Sequence, residues 1–453
     1  MSETIIKENK MGTAKMLPLI ISMGLPSMFS MMVQALYNIV DSYFVSSYST
    51  DALSGVSLAF PIQNLLIAFA VGTAVGVGSL VSRKLGEGDK KIAGNAATHG
   101  IFLSLITWVP FLIFGLMGSE MFIKLFETDA TIVALGTEYL TIVSTCSIFC
   151  FVQICLEKVL QSTGNMVLPM LMQLTGAVVN IILDPILIFG YFGLPEMGVA
   201  GAAIATIIGQ FCGFMIAVIG VFFSKKGHEI DIHFKGFKFD KKIVKMIYIV
   251  GFPSIIMNAV GTIMLAGMNL ILASFSSAAY TVFSLYFKLQ SFVFMPVFGL
   301  TNGLMPILGY NFGARNKERI ISCLKIGCSI ALSINVVGMI VFMIFPAELL
   351  GIFGPTEEIL EIGIVALRII SIIFPMSAIS ITGATLFQAV GKGNYSLINS
   401  FLRQIVVILP SAYFLSKISL DVLWYSFPIA EAVALVITAF LFIKFYKEKI
   451  KTM

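Results

Sequence analysis

Residues 17–33 read LPLIISMGLPSMFSMMV, and residues 244–260 read VKMIYIVGFPSIIMNAV. Each is an apolar run broken by the same Gly-x-Pro-Ser, Gly24–Ser27 in the first and Gly251–Ser254 in the second, 227 residues apart. Glycine and proline are costly inside a water-soluble helix and ordinary inside a transmembrane one. At the same shift Phe60 and Gln63 meet Phe287 and Gln290, and Gly72 and Gly76 meet Gly299 and Gly303. Gly86 and Lys90 meet Gly313 and Lys317, while Phe126, Ile132, Gly136 and Ser144 meet Phe353, Ile359, Gly363 and Ser371. Gln161 and Gly164 meet Gln388 and Gly391. One shift held over about 140 residues, with glycines and prolines in register, marks an internal duplication.

The solvent is set by composition. The 453 residues are 58% hydrophobic and only 12% charged, with a mean hydropathy of +0.97. A soluble domain carries roughly a quarter charged residues. Half that density cannot coat a water-facing surface, which excludes a soluble enzyme, a nucleic-acid binder and a disordered regulator. A spanning helix needs ~20 apolar residues. Twelve such stretches are readable, at 15–46, 53–80, 94–117, 131–161, 166–190, 198–223, 243–274, 279–310, 319–345, 360–390, 395–416 and 422–445. No period-two alternation suggests a barrel, so helices must satisfy the backbone in lipid.

The predicted fold is an all-α polytopic membrane protein with twelve transmembrane helices. They form two six-helix lobes, residues 1–224 and 242–453, with a linker at 225–241. An even helix number per half gives both halves one orientation, a parallel pseudo-two-fold repeat of the kind transporters use. The linker is polar and basic, with alternating Ile230, Ile232 and Phe234, and is expected to lie as a loop on the cytoplasmic face.

The net charge of +5 matters less than where the bases stand. Lys7, Lys10, Lys15, Arg83, Lys84, Lys90, Lys91, Lys225, Lys226, Lys235, Lys238, Lys241, Lys242 and Lys245 fall on one side. Arg315, Lys317, Arg319, Lys325, Lys392, Lys444, Lys447, Lys449 and Lys451 join them, and the opposite loops hold only Lys124 and Lys417. The positive-inside rule then puts both termini in the cytoplasm. Residues 1–15 are polar and show no cleavable signal. The cysteines (Cys146, Cys150, Cys155, Cys212, Cys323, Cys328) lie in apolar segments without zinc spacing. His228 and His233 read as solvated linker residues. No phosphate loop provides for ATP, and no nucleophile–base–acid set suggests an enzyme.

A charge at bilayer depth costs at least ~2.5–3.5 kcal/mol. The deep ones are Asp41, Glu157, Lys158, Asp184, Lys288, Arg403 and Glu431; Glu138 and Arg368 lie toward outer helix ends. Gln34, Tyr37, Asn38 and Asp41 stand at i, i+3, i+4 and i+7, one polar stripe on one helix face. Asn180 and Asp184 stand at i and i+4 on the fifth helix. Both aspartates fall within roughly 10 Å of the outer ends of their helices, so they share a depth. Pro185 frees the carbonyl of Ile181. Carboxylates, an amide oxygen and a loose carbonyl suit Na⁺. Two carboxylates that cannot readily both ionise suit a proton.

The repeat partners of Asp41, Gln34 and Tyr37 are Met268, Gly261 and Met264. After a two-residue insertion Leu409 and Tyr413 meet Asn180 and Asp184. The cluster therefore exists in the first half only, which favours a specialised ion site over shared architecture. Glu157 and Lys158 sit near the cytoplasmic end of the fourth helix, as a local charge pair or a substrate contact. Glu431 and Lys288 share a depth in the second half, as a salt bridge or a contact for a cationic substrate. Some of the 39 Phe and 24 Met are placed to line a cavity for flat, greasy ligands.

These features resemble the multidrug and toxic compound extrusion (MATE) family over almost the whole chain. The resemblance rests on twelve helices in two lobes, the paired Gly24–Pro26 and Gly251–Pro253 entries, and the repeated loops at Gly86 and Gly313. Asn180-Ile-Ile-Leu-Asp184-Pro185 with Asp41 is similar to the DinF-like branch and its MepA-type drug exporters. The resemblance implies that Asp41, Asn180 and Asp184 form a cation site, with Gln34 and Tyr37 beside it. Gly201–Thr206 resembles the segment that supplies a threonine hydroxyl, Thr206, and a backbone carbonyl, Ala202. The NorM-like branch carries an acid in the seventh helix, and residues 243–274 hold none. The expected protein is a monomeric, cofactor-free antiporter that exports cationic amphipathic drugs by alternating access, driven by H⁺ or Na⁺. A lipid-linked oligosaccharide flippase of the same superfamily is the alternative, and a channel or membrane-embedded enzyme a more distant one. Twelve helices and more deep acids than bases favour the exporter.

Overall fold

The structure, a computed structural model, describes residues 9–223, 230, 232–234 and 236–453. Lys7, Lys225, Lys226, His228 and Lys235 lie outside the described residues. All regular structure among the described residues is helical. Ten helices are long and apolar enough to cross a membrane, and two bent pairs bring the total to twelve. In chain order they are α1 (Met16–Tyr48), α2 (Thr50–Gly86), α3 (Lys90–Met117), α4 (Ala130–Thr145 with Ile148–Ser162), α5 (Val167–Phe189) and α6 (Gly198–Phe222). The second half has α7 (Lys241–Ala273), α8 (Ser277–Gly313), α9 (Lys317–Ile344), α10 (Glu357–Ser371 with Ile373–Ala389), α11 (Gly393–Ser416) and α12 (Leu420–Ile450).

Two spans expected to be continuous are broken. The halves of α4 meet at 45° and those of α10 at 46°. The α4 break has no proline or glycine beside it, whereas in α10 Pro375 stands three residues past the break and withholds the amide that would bond the Ser371 carbonyl. At both breaks a serine hydroxyl also bonds the carbonyl three residues back, which competes with the helical ladder. Ser147 donates to the Ser144 carbonyl at 2.7 Å, and the Trp108 indole N–H donates to the Thr145 carbonyl at 3.1 Å. In α10, Ser371 donates to the Arg368 carbonyl at 2.9 Å. The two bends fall at equivalent places in the repeat, but Pro375 stands where the first half has Ile148, so they do not share one cause.

The chain forms two compact units. One takes in the chain up to Met28, Gly86–Gly88 and Ala259–Met453; the other takes in Phe29–Leu85 and Asp89–Asn258. The opening turns of α1 and α7 thus belong to the unit built from the other half's helices. Glycines make this possible. In the second unit, a Cβ on Gly76 would stand 2.3 Å from the Ile247 carbonyl oxygen and 2.9 Å from the Gly251 nitrogen. In the first, a Cβ on Gly303 would stand 2.9 Å from the Gly24 nitrogen. The Gly-x-Pro entries are therefore places of close helix-backbone approach, each within its own unit.

The chain leading into each entry helix is pinned. Before α1, Lys10–Thr13 forms one helical turn whose Met11 carbonyl accepts from Asn311 Nδ2 at 3.0 Å and Arg319 Nη2 at 2.9 Å. Before α7, the Asp240 amide donates to His99 Nε2 at 2.8 Å. Phe237 packs edge-on against the His99 ring and stacks on Phe102 at 4.3 Å. The described part of the expected linker has neither helix nor strand, and His233 is exposed. All six cysteines are free and lie buried or half-buried.

Candidate functional site

The second unit brings the predicted polar residues of α1, α5 and α6 together. Asn180 and Asp184 face the same way one turn apart, and Asn180 Nδ2 donates to Asp184 Oδ1 at 3.1 Å. The same amide reaches Thr206 Oγ1 at 3.4 Å. The Asp41 carboxyl stands within hydrogen-bonding reach of Asp184. Asp184 is fully buried and Asn180 is 1% exposed. Pro185, inside α5, withholds the amide that would cap the Ile181 carbonyl. Ala202 is fully buried one turn before Thr206.

The defining feature is a surplus of acceptors. Asp41 Oδ1, Asp184 Oδ2 and Asn180 Oδ1 are buried and have no hydrogen-bond donor. Buried polar atoms are nearly always paired, and each exception needs a reason. Two carboxylates facing each other with no cation nearby are a high-energy arrangement. A proton between them, or a small cation held by the carboxylates, Asn180 Oδ1 and Thr206 Oγ1, removes that cost. The donor set fits either ion.

Tyr37 stands close enough to interact electrostatically with both carboxylates. Tyr139 of α4 does so too, and Gln63 Nε2 of α2 donates to its hydroxyl at 3.0 Å. Sequence reasoning missed Tyr139, and Gln63 stood out only as a repeat landmark. Gln34 is half-buried and Asn38 exposed on α1.

Glu157 and Lys158 are buried in a separate network. Glu157 Oε1 accepts from Gln161 Nε2 at 2.8 Å and Gln173 Nε2 at 2.9 Å, and Lys158 Nζ donates to Gln161 Oε1 at 2.9 Å. In the first unit Lys288 is exposed, with its ammonium 6.0 Å from the Phe353 ring centre. It does not pair with Glu431. Arg403 Nη1 does, at 2.8 Å from Glu431 Oε2. Glu138 and Arg368 are exposed.

The MatE family model matches the chain twice, at residues 26–186 and 253–414, so the two matches begin at the 227-residue shift of the repeat. The Thermotoga maritima protein named "Probable multidrug resistance protein NorM" is 30% identical over 408 residues, covering 88% of this chain and 85% of that one. The Staphylococcus aureus "Multidrug export protein MepA" is 27% identical over 393 residues, 85% and 84% of the two chains. A solved structure titled as the outward-facing conformation of a multidrug resistance MATE family transporter superposes with a TM-score of 0.92 at 26% identity, covering 99% of each chain. A transporter of the MOP superfamily from Pyrococcus furiosus also gives 0.92 at 26% identity, over 98% of this chain and 99% of the other. With both halves matched and the fold shared end to end, the chain belongs to the MATE family of membrane transporters and is not an enzyme.

Proposed function

We propose that the protein is a cation-coupled multidrug exporter in which Asp41, Asp184, Asn180 and Thr206 bind the coupling cation, Na⁺ or H⁺. The observation that carries this reading is the trio of buried acceptors without donors at Asp41, Asp184 and Asn180. The names of the NorM and MepA relatives support drugs as the cargo. The cation is a substrate of the cycle and not a resident cofactor. It binds from outside and is released inside, while a cationic amphipathic drug moves outward as the lobes alternate. Coupling requires that ion and drug favour different states by a few kcal/mol each. The protein works as a monomer in a bacterial-type cytoplasmic membrane with both termini inside.

The test is efflux of ethidium from proteoliposomes under separately imposed Na⁺ and H⁺ gradients. Efflux driven by one gradient, and lost in Asp41→Asn and Asp184→Asn proteins that still insert, is expected. Gradient-driven efflux that survives both substitutions would remove the coupling role from this site. Translocation of a polyprenyl-linked sugar without drug efflux would favour the flippase.

A further inference from the structure

The first unit holds a second deep carboxylate whose surroundings differ from the first. Glu431 of α12 is 2% exposed, and Arg403 of α11 covers only one of its oxygens. Glu431 Oε1 is buried with no donor. The Tyr286 hydroxyl of α8 is 1% exposed and also has no partner, yet it lies within electrostatic reach of both charges. A guanidinium that belonged here purely for stability would use its planar fork to satisfy both carboxylate oxygens. Arg403 gives one nitrogen and leaves two buried oxygens unsatisfied.

The two members of the pair are also unequal. The Arg403 side chain is 28% exposed against 2% for Glu431, so the arginine can withdraw and the glutamate cannot. Arg403 lies at the start of a π-helical segment, Leu402–Ile408, inside α11. Such turns insert an extra residue into an α-helix and occur mostly at functional positions. The wall beside Glu431 is aromatic. Phe427, one turn away on α12, packs with its ring centre 6.3 Å from Tyr286 and 6.0 Å from Phe283, and Phe283 stacks on Trp424. Aromatic faces attract delocalised organic cations. Na⁺ would want a shell of several oxygens, whereas the neighbours named here for Glu431 are a guanidinium and aromatic rings with one phenol hydroxyl.

We propose that Glu431 is a receptor for planar, delocalised organic cations (guanidinium, amidinium and heteroaromatic ammonium head groups) and that Arg403 is its tethered occupant, displaced when such a substrate binds. The present occupant has the chemistry of the ligand class. The proposal rests on the reading of the chain as an exporter of small organic cations, but its test does not require transport.

The test uses the purified full-length protein, thermal unfolding with ethylguanidinium chloride as probe, and fluorescence titration with ethidium. NaCl at equal ionic strength is the control. Arg403→Gln is expected to be stabilised by ethylguanidinium where the wild type is not. It should bind ethidium at least about 10-fold more tightly, because an internal competitor lowers apparent affinity by the fraction of time it occupies the site. Glu431→Gln and the double variant should respond to neither ligand beyond the control. If Arg403→Gln does not accumulate, Arg403→Lys keeps the charge without the fork, and ethylguanidinium should stabilise it more than the wild type. A flat response of both Arg403 variants, or a double variant that responds like Arg403→Gln, would overturn the proposal. Normal efflux by Asp184→Asn would end the coupling assignment and leave this one standing. A flat Arg403→Gln beside a dead Asp184→Asn would do the reverse.

Discussion

Replacing Asp184 by Asn should stop transport and yet leave a fold at least as stable as the cation-free wild type. Asp184 is fully buried; its Oδ1 accepts from Asn180 at 3.1 Å, while its Oδ2 and the facing Asp41 Oδ1 have no donor. Asparagine keeps the shape, removes one negative charge and brings two N–H donors. One of them can serve Asp41 Oδ1. An unsatisfied buried acceptor costs about 1–3 kcal/mol, and more when charged. Two like charges at a contact distance of ~4 Å repel by about 4 kcal/mol at an effective dielectric of 20, which sets the scale for a pair of interacting carboxylates. Part of that cost is already relieved by relaxation, so a net gain of about 1–3 kcal/mol over cation-free protein is the expected scale. Coupling cation at 100 times its Kd stabilises the wild type by about 2.7 kcal/mol, which closes the gap. The assay is thermal unfolding in detergent with and without the cation, beside ethidium efflux from cells. Wild-type Tm should rise on adding the cation. The variant should start higher, stay flat and show background efflux. A variant that unfolds below the cation-free wild type, or that exports ethidium normally, would show that Asp184 is a structural acceptor whose needs the protein already meets.

The geometry sets three further outcomes. Gly76→Ala puts a methyl 2.3 Å from the Ile247 carbonyl oxygen, a backbone atom that cannot step aside, so stability should fall by about 1–3 kcal/mol or more. Gly261→Ala, whose nearest contact is the Gln404 side-chain oxygen at 3.4 Å, is the matched control and should unfold within about a degree or two of wild type. His99→Ala removes the acceptor of the Asp240 amide, a loss of about 1–3 kcal/mol locally, and limited proteolysis should cut residues 230–240 faster. Tyr139→Phe removes the hydroxyl that accepts from Gln63 at 3.0 Å, at a net cost of about 0.5–1.5 kcal/mol. It should raise the cation concentration giving half-maximal efflux without abolishing transport; an unchanged concentration dependence would exclude Tyr139 from the site.

Much of the site was legible because an acid in an apolar run is conspicuous and helical spacing fixes which side chains share a face. Asp41, Asn180 and Asp184 needed only that and a depth estimate. Tyr139 was illegible for the opposite reason: a tyrosine in an apolar helix reads as packing until its neighbours are known. The pairing of Glu431 shows where depth runs out. Lys288 and Arg403 are both candidates by distance along their helices, and only direction around the axis separates them. That direction depends on packing and on the π-helical turn at Leu402–Ile408, whose extra residue rotates the rest of α11 about its axis. The bend in α4 goes with a serine hydroxyl and an indole on another helix, which a hydropathy window does not register, and the bend in α10 goes with Pro375, which was readable but not used. The entry glycines were visible as a repeat, but the backbones they admit were not.

The duplicated halves solve one physical problem in two ways. A carboxylate buried in a membrane protein needs a positive partner, because an unpaired buried charge costs several kcal/mol. Glu431 has its partner on a tether, the Arg403 guanidinium 2.8 Å away. A tethered cation never leaves the protein, so by itself it cannot convert an ion gradient into work. Asp41 and Asp184 have no base among their described hydrogen-bond partners, and Met268 and Tyr413 show that the second half kept no copy of them. In the proposed coupling role their partner comes from solution, and its arrival and departure are what a gradient can drive. We therefore propose that ion coupling falls to α1 and α5, while the Arg403–Glu431 pair, already neutral, is free to respond to the cargo.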